Sequence, residues 1–224
     1  MVLSKGQSGR TTYASGVDGE LRWREEEGNA LPVLVVRFAR PVRAVSSAPL
    51  GGGIGLRRFV VNAQVPGSYA RRDPDAHLRA IAAVFGLGGN GVGMLTAAEV
   101  RGARRAGDGG VVVLATVGLG HPILAAAPPE DAGPWGEARP AVGTINVVAW
   151  VPARLSDAAL VNAVATATEA KVQALSGLGL DATGTATDAV CIACPAGGVP
   201  EPFGGPRSPW GARLARAVWA AVSA

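Results

Sequence analysis

The chain has 224 residues, 48% of them hydrophobic and 17% charged, which excludes a disordered or tail-like protein and fits one sizeable domain with a real core. Its 32 glycines follow no Gly-x-y period, so a collagen-like rod is excluded and many tight turns are expected. The net charge of +4 comes from scattered arginines, in runs no longer than pairs such as Arg71-Arg72 and Arg104-Arg105, without interleaved aromatics, so no nucleic-acid partner is expected.

The opening residues lack the apolar core of a signal peptide, and no apolar run approaches the ~18–20 residues of a membrane helix. A soluble, cytoplasmic protein with no membrane partner is therefore expected. Residues 1–30 are polar and read as an extension or a solvated edge hairpin, with the charged stretch Arg22, Trp23, Arg24, Glu25, Glu26, Glu27. Residues 31–38, 42–46 and 58–65 read as three strands from their β-branched and aromatic content, parted by Pro41 and by the cluster Gly51, Gly52, Gly53, Ile54, Gly55. Asp73 followed by Pro74 signals a helix start over 75–85, with Asp73 as N-cap and Gly86 as the stop.

Residues 92–96 and 111–117 read as buried strands, 126–142 as a loop rich in Pro, Ala and Gly, and 144–151 as a strand ending at Pro152. The strongest helix follows. Ser156 is its N-cap, Asp157 suits its positive end, Leu155 can staple onto Leu160, and Gly177 stops it. A strand over 188–194 and a helix over 209–222, capped by Ser208, complete the pattern. With no fixed-period repeat, residues 31–224 form one α/β domain, a mixed β-sheet with about three packed helices, with a mixed α+β arrangement as the variant.

The two cysteines, Cys191 and Cys194, lie in a strand at i and i+3 and so face opposite sides, which reads as core and not as a metal or redox pair. Gly86, Gly88 and Gly91 spell a dinucleotide loop, but a helix precedes and a strand follows, which reverses the required context and reads as a turn. The cluster Gly51–Gly55 either lines a ligand or makes a plain turn. His77 is expected at the surface, at the edge of a stripe of Leu78, Ile81 and Phe85; His121 lies in a turn where site loops often occur. No metal-ligand spacing exists.

The pairing of the long helix with the segment after it is more telling. Leu160, Val164, Thr168, Lys171 and Leu175 share one helical stripe, so one of only two lysines sits amid an apolar face. Lys171 either snorkels to water or is held inward beside a carboxylate, for which Asp188 is a candidate. Glu169 lies about 160° round that helix and is free for another role. Thr183, Thr185 and Thr187 then alternate, which puts three hydroxyls on one side if the segment is extended, with Asp188 at its end.

Several of these stretches carry a family resemblance. Ser46-Ser47-Ala48-Pro49-Leu50-Gly51-Gly52-Gly53, Val61-Asn62, Met94-Leu95-Thr96-Ala97-Ala98, Gly143-Thr144-Ile145-Asn146, Thr168-Glu169-Ala170-Lys171 and Ala182-Thr183-Gly184-Thr185-Ala186-Thr187-Asp188-Ala189 resemble, in order, the adenosylcobinamide amidohydrolases of corrinoid salvage. Ala186 stands where that family more often has Gly, and His121 where it often has Asn. The resemblance implies hydrolysis of the amide between the corrin side chain and aminopropanol in adenosylcobinamide, giving adenosylcobyric acid, with some relatives also acting on complete cobamides. A corrinoid-binding protein without turnover is the alternative, and a nucleotide-dependent enzyme of the same pathway is disfavoured by the missing P-loop.

Amide hydrolysis needs an activated nucleophile, an oxyanion donor and an acid for the leaving amine. The expected catalytic residues are Glu169, Lys171 and Asp188. Glu169 or Asp188 would activate water, Lys171 would stabilise the oxyanion or tune Asp188, and Thr185 or Thr187 would fix the amide, with Ser47 and Thr96 as alternative nucleophiles. The corrin is expected in a groove lined by Ser47, Gly51, Gly52, Gly53, Asn62, Thr96, Thr144, Asn146, Thr183, Thr185 and Thr187. No cofactor or metal of the protein's own is expected, though Glu169, Asp188 and Glu99 could be assembled by the fold; the corrinoid is substrate.

Overall fold

A computed structural model describes residues 4–5, 17, 19–128 and 143–224. The strands are β1 (Ser4–Lys5), β2 (Gly19–Glu26), β3 (Asn29–Ser46), β4 (Gly53–Gln64), β5 (Gly91–Thr96), β6 (Arg104–Asp108), β7 (Val111–Val117), β8 (Ile145–Trp150) and β9 (Ala189–Pro195), and the helices α1 (Pro74–Val84), α2 (Asp157–Gly177) and α3 (Pro209–Ser223). They form one mixed nine-stranded sheet in the order β1-β2-β3-β9-β8-β7-β6, with β4 and then β5 on the other edge of β3. The parallel pairs are β4 with β5 and β8 with β9. Each pair is joined through a helix, α1 in the first and α2 in the second.

The alternation along the strands builds three apolar layers. Val60, Met94, Leu114, Val148 and Cys191 face the inside of the curled sheet. Val113, Val147, Ile192 and their neighbours face outward beneath α2 and α3, and Val33, Val35, Phe59 and Val61 face outward beneath Leu78 and Ile81 of α1. Cys191 and Cys194 fall in different layers, as their spacing requires, and both are buried free thiols. Ser156 accepts the Ala159 N–H at 3.1 Å, and Ser208 caps α3 through the Gly211 N–H at 3.0 Å.

Several expectations are corrected. The segments 31–38 and 42–46 are one 18-residue strand; Pro41 sits inside a register shift between Arg37 and Val42, where a missing N–H is tolerated. Gly53 and Gly55 belong to β4, so the glycine cluster is a strand start as well as a turn. Strand β6, Arg104–Asp108, went unread because its sequence is charged and Gly-bearing. Asp73 precedes Pro74 but makes no cap bond, since Arg71 holds both its oxygens at 2.9 and 2.7 Å. Of the loop 126–142, residues 129–142 lie outside the described residues.

The hairpin of β2 and β3 turns at Glu27 and Gly28, both at positive φ (52° and 76°), the backbone a two-residue turn needs to match strand twist. Its charges are not all solvated. Arg24 is 0% and Glu26 8% exposed, and Arg24 donates to Glu26 Oε2 through Nε (2.9 Å) and Nη2 (2.7 Å) and to the Gln64 carbonyl. His77, expected at the surface, is 1% exposed. Its Nε2 lies 2.8 Å from Glu26 Oε1 and its Nδ1 3.0 Å from the Tyr69 hydroxyl. The bond to Tyr69 is the hydrogen bond of the ring, and its direction follows the ring tautomer.

Burial pushes the His77 pKa below its ordinary value, outweighing the pull of Glu26. The unfolded chain thus takes up this proton before the folded one. His77's contribution to stability is complete above the unfolded value, about 6.5, and is lost as pH falls from there through the depressed folded value. Urea unfolding at pH 7.5, 6.5 and 5.5 is expected to show this loss, and a His77→Gln variant is expected to flatten it; parallel slopes for the two proteins would sink the assignment.

Candidate active site

Because β8 and β9 run parallel with Asn146 opposite Ala189, Ile145 comes beside Asp188 and Thr144 beside Thr187 where the two strands begin. The second half of α2 delivers Lys171 to the same place. Lys171 Nζ donates to Asp188 Oδ2 at 2.5 Å, and the Thr185 backbone N–H reaches that oxygen at 3.1 Å. The other oxygen, Oδ1, accepts the Thr185 hydroxyl at 2.5 Å and the Ile145 N–H at 2.9 Å. Four donors thus use all the lone-pair positions of one carboxylate. Lys171 is held inward and paired, with its side chain 10% and that of Asp188 12% exposed. An added Cβ at Gly184 would stand 2.3 Å from Asp188 Oδ2 and 2.4 Å from Lys171 Nζ, so glycine is what admits the ion pair here.

The three threonines do not share one side. Asp188 folds back onto Thr185, three residues earlier, and the segment is a turn, not an extended strand. Thr183 Oγ1 accepts the Ala125 N–H at 2.8 Å and donates to the Ile123 carbonyl at 3.3 Å, tying the turn to residues 123–125. Thr187 and Thr144 share a hydroxyl–hydroxyl bond of 2.8 Å. In such a pair one hydroxyl donates to the other, which leaves one O–H for a third acceptor.

Beneath this cluster lies a buried polar brace. Asn62 donates to Thr116 Oγ1 (2.9 Å), and Asn146 donates to Asn62 Oδ1 (2.8 Å) and to the Leu95 carbonyl (2.9 Å) while accepting the Ala189 N–H (3.2 Å). Asn62, Asn146, Thr116 and Thr96 are all 1–2% exposed, and Thr96 Oγ1 accepts the Ala98 N–H. These residues stitch β4, β5, β7, β8 and the start of β9 together inside the protein, where unpaired polar groups would be costly.

Ser47 is exposed and takes the Val190 N–H at 3.1 Å, beside the start of β9. The turn after it is pinned from within by Arg57, which donates to the Gly51 carbonyl at 2.9 and 3.1 Å and to Gly52 at 3.3 Å. Gly51, at φ 70°, has its Cα against the Gly91 carbonyl, 2.0 Å from where a Cβ would stand. Gly52 and Gly53 are exposed. Arg57, Thr116 and the Ile145 N–H were not read from the sequence: nothing in the spacing of an arginine on a glycine-rich strand shows that its guanidinium turns back onto a loop.

The structure does not bring Glu169 to Lys171 and Asp188. Glu169 is exposed on the solvent face of α2, and Thr168 is exposed and bonded back to Val164. Glu99 is exposed and paired with Arg101, His121 is exposed, and among the described residues no three His, Cys, Asp or Glu side chains gather as metal ligands. Burial pushes the Cys191 thiol up to about 12 and raises Cys194 as well, so neither is a thiolate nucleophile at neutral pH. A separate open cleft of about 690 Å³, lined by Phe38, Arg40, Pro41, Leu56, Trp150 and Pro195, lies at the far end of β9 and holds none of these groups. No helix among the described residues is long and apolar enough to cross a membrane.

The family described as adenosylcobinamide amidohydrolase matches residues 17–224, which takes in every strand from β2 to β9. The adenosylcobinamide amidohydrolase of Halobacterium salinarum is 35% identical over 193 residues, covering 85% of this chain and 83% of that one. The adenosylcobinamide amidohydrolase of Methanosarcina mazei is 30% identical over 187 residues, covering 80% and 87%.

Proposed function

The chain belongs to the adenosylcobinamide amidohydrolase family and is an amidohydrolase, and we propose that it cleaves the amide joining the corrin side chain to aminopropanol in adenosylcobinamide. The products are adenosylcobyric acid and free aminopropanol; complete cobamides are further candidate substrates. The observation that carries this reading is the Lys171, Asp188, Thr185 cluster, a carboxylate and an ammonium fixed against a hydroxyl at the entry to β8 and β9. Amide hydrolysis asks for these groups: a hydroxyl or water to attack, a base beside it, and a donor for the carbonyl oxygen as it becomes an oxyanion.

Asp188 takes the proton-accepting role in this reading, Lys171 holds its carboxylate in place, and the spare O–H of the Thr144 and Thr187 pair is the oxyanion donor. Glu169, on the solvent face, is given no part in the chemistry. The exposed Ser47, Gly52 and Gly53 offer hydroxyl and backbone groups to the amide-fringed edge of the corrin. The protein supplies no cofactor, the corrinoid being substrate.

The test is incubation of purified protein with adenosylcobinamide, without nucleotide, with both products followed by chromatography and mass spectrometry. Appearance of adenosylcobyric acid and aminopropanol in equal amounts is the expected result. Tight binding with the substrate returned intact would instead make the protein a corrinoid binder.

A further inference from the structure

The hydroxyl groups around Asp188 differ in what their protons and lone pairs are already doing. Ser46 donates to the Val190 carbonyl and accepts the Ala48 N–H. Thr183 likewise both donates and accepts, so its oxygen is committed to holding the turn. Thr96 is buried and accepts the Ala98 N–H. Ser47 accepts a backbone N–H, and no carboxylate receives its proton among the described hydrogen bonds. Thr144 and Thr187 face each other.

Thr185 alone in this group gives its proton to a carboxylate, at 2.5 Å, which draws the O–H bond toward ionisation and leaves the oxygen's lone pairs without a donor among the described residues. The carboxylate is itself immobilised: Lys171 and the Thr185 N–H hold Oδ2, and the Ile145 N–H holds Oδ1. This is the arrangement of a nucleophile, a base and a group that orients the base. The same census bears on the simpler route through an activated water. All four lone-pair positions of Asp188 are filled, so a water can be activated by it only after one of these donors leaves.

We propose that Thr185 is the nucleophile and that the reaction passes through an ester between Thr185 Oγ1 and the acyl group of the corrin side chain, an inference that rests on the amidohydrolase reading above. Thr185 Oγ1 attacks the amide carbon, and its proton passes along the existing hydrogen bond to Asp188 Oδ1. The carbonyl oxygen becomes an oxyanion facing the spare O–H of the Thr144 and Thr187 pair. As the C–N bond breaks, the proton on Asp188 goes to the leaving nitrogen and aminopropanol departs as the amine. The O–H that Thr185 no longer presents frees Oδ1 for a water, which adds to the ester carbon, gives its proton to Asp188, and releases the carboxylic acid as Thr185 recovers its proton. The sum is amide plus water giving acid plus amine.

Hydroxylamine partitioning and rapid acid quench test this on the wild-type enzyme with adenosylcobinamide. An ester intermediate gives one of two signatures. If its hydrolysis is slow, aminopropanol appears in a burst approaching one equivalent of enzyme, and mass spectrometry finds the acyl group on the peptide containing Thr185. If its formation is slow, hydroxylamine diverts product to the hydroxamate while the rate of aminopropanol release stays constant. Thr185→Ala is expected to lose about 10³-fold or more in turnover, with its thermal melt as the check on folding, and Thr185→Ser to recover most of that loss and show the same signature. A wild type with neither signature overturns the proposal, even if Thr185→Ala is inactive, because a positioning threonine would give that outcome; so does a Thr185→Ala rate within tenfold of wild type. A wild type that releases neither product overturns the amidohydrolase reading instead.

Discussion

Asp188→Asn is expected to lower amide turnover by about 10³-fold or more and to weaken the fold at the same time. The asparagine amide offers one acceptor oxygen and two donor hydrogens to a place where four donors converge on a carboxylate, so at least two donors lose their partner. The proton of Thr185 then has no anionic acceptor, and Lys171 is left as an unpaired ammonium with its side chain only 10% exposed. Removing one partner of a buried pair typically costs ~3–5 kcal/mol, a large share of the ~5–15 kcal/mol that holds a domain together. Turnover should therefore be measured at low temperature, beside a urea unfolding curve. The double variant Lys171→Met with Asp188→Asn is expected to regain most of the stability, because it removes the stranded charge, and none of the activity. A single variant that keeps turnover within tenfold would overturn the role given to Asp188.

Glu26→Gln is expected to cost ~3–5 kcal/mol of stability without touching the chemistry of the Lys171 site. Arg24 is wholly buried and Glu26 nearly so, and the carboxylate serves two neighbours at once, Arg24 through Oε2 and His77 through Oε1. Gln keeps the shape but removes the charge, and N–H groups turned toward Arg24 face donors already there. The loss should appear as a lower urea midpoint with an unchanged slope. Asp75→Asn, which breaks the exposed pair with Arg79 on α1, is the control, with no measurable shift expected. Equal midpoints for Glu26→Gln and wild type would show that the buried cluster contributes little.

The contrast between these two clusters shows how far one sequence can be read. Lys171 announced itself because a lysine is rare in this chain and sat in an apolar helical stripe, and the only carboxylate near the end of the threonine segment proved to be its partner. Arg24 and Glu26 gave no such sign. In a polar run they look like solvated charges, and only the packing of α1 and residue 69 over β2 turns them into an interior ion pair beside the His77 ring. His77 was misread for the same reason: its place at the edge of the Leu78 and Ile81 stripe fits either surface or core, and the deciding partner is some 50 residues away in sequence.

By itself the sequence determined the local features, since capping, periodicity and strand alternation depend on neighbours a few residues apart. Ser156 and Ser208 as helix caps, the strand Val111–Val117, the opposed faces of Cys191 and Cys194, and the family all follow from such patterns. The tertiary structure alone decided which polar groups meet. The alternation of Thr183, Thr185 and Thr187 holds only for an extended chain, and the turn around Asp188 breaks it by directing the three hydroxyls to Ile123 and Ala125, Asp188 and Thr144. Glu169 and Lys171 are two residues apart yet point to different surroundings, and Asn62 and Asn146 are 84 apart yet share a hydrogen bond. A hydrogen bond needs its two atoms within about 3 Å, and for residues distant in sequence that proximity is set by the pairing of strands, not by spacing along the chain.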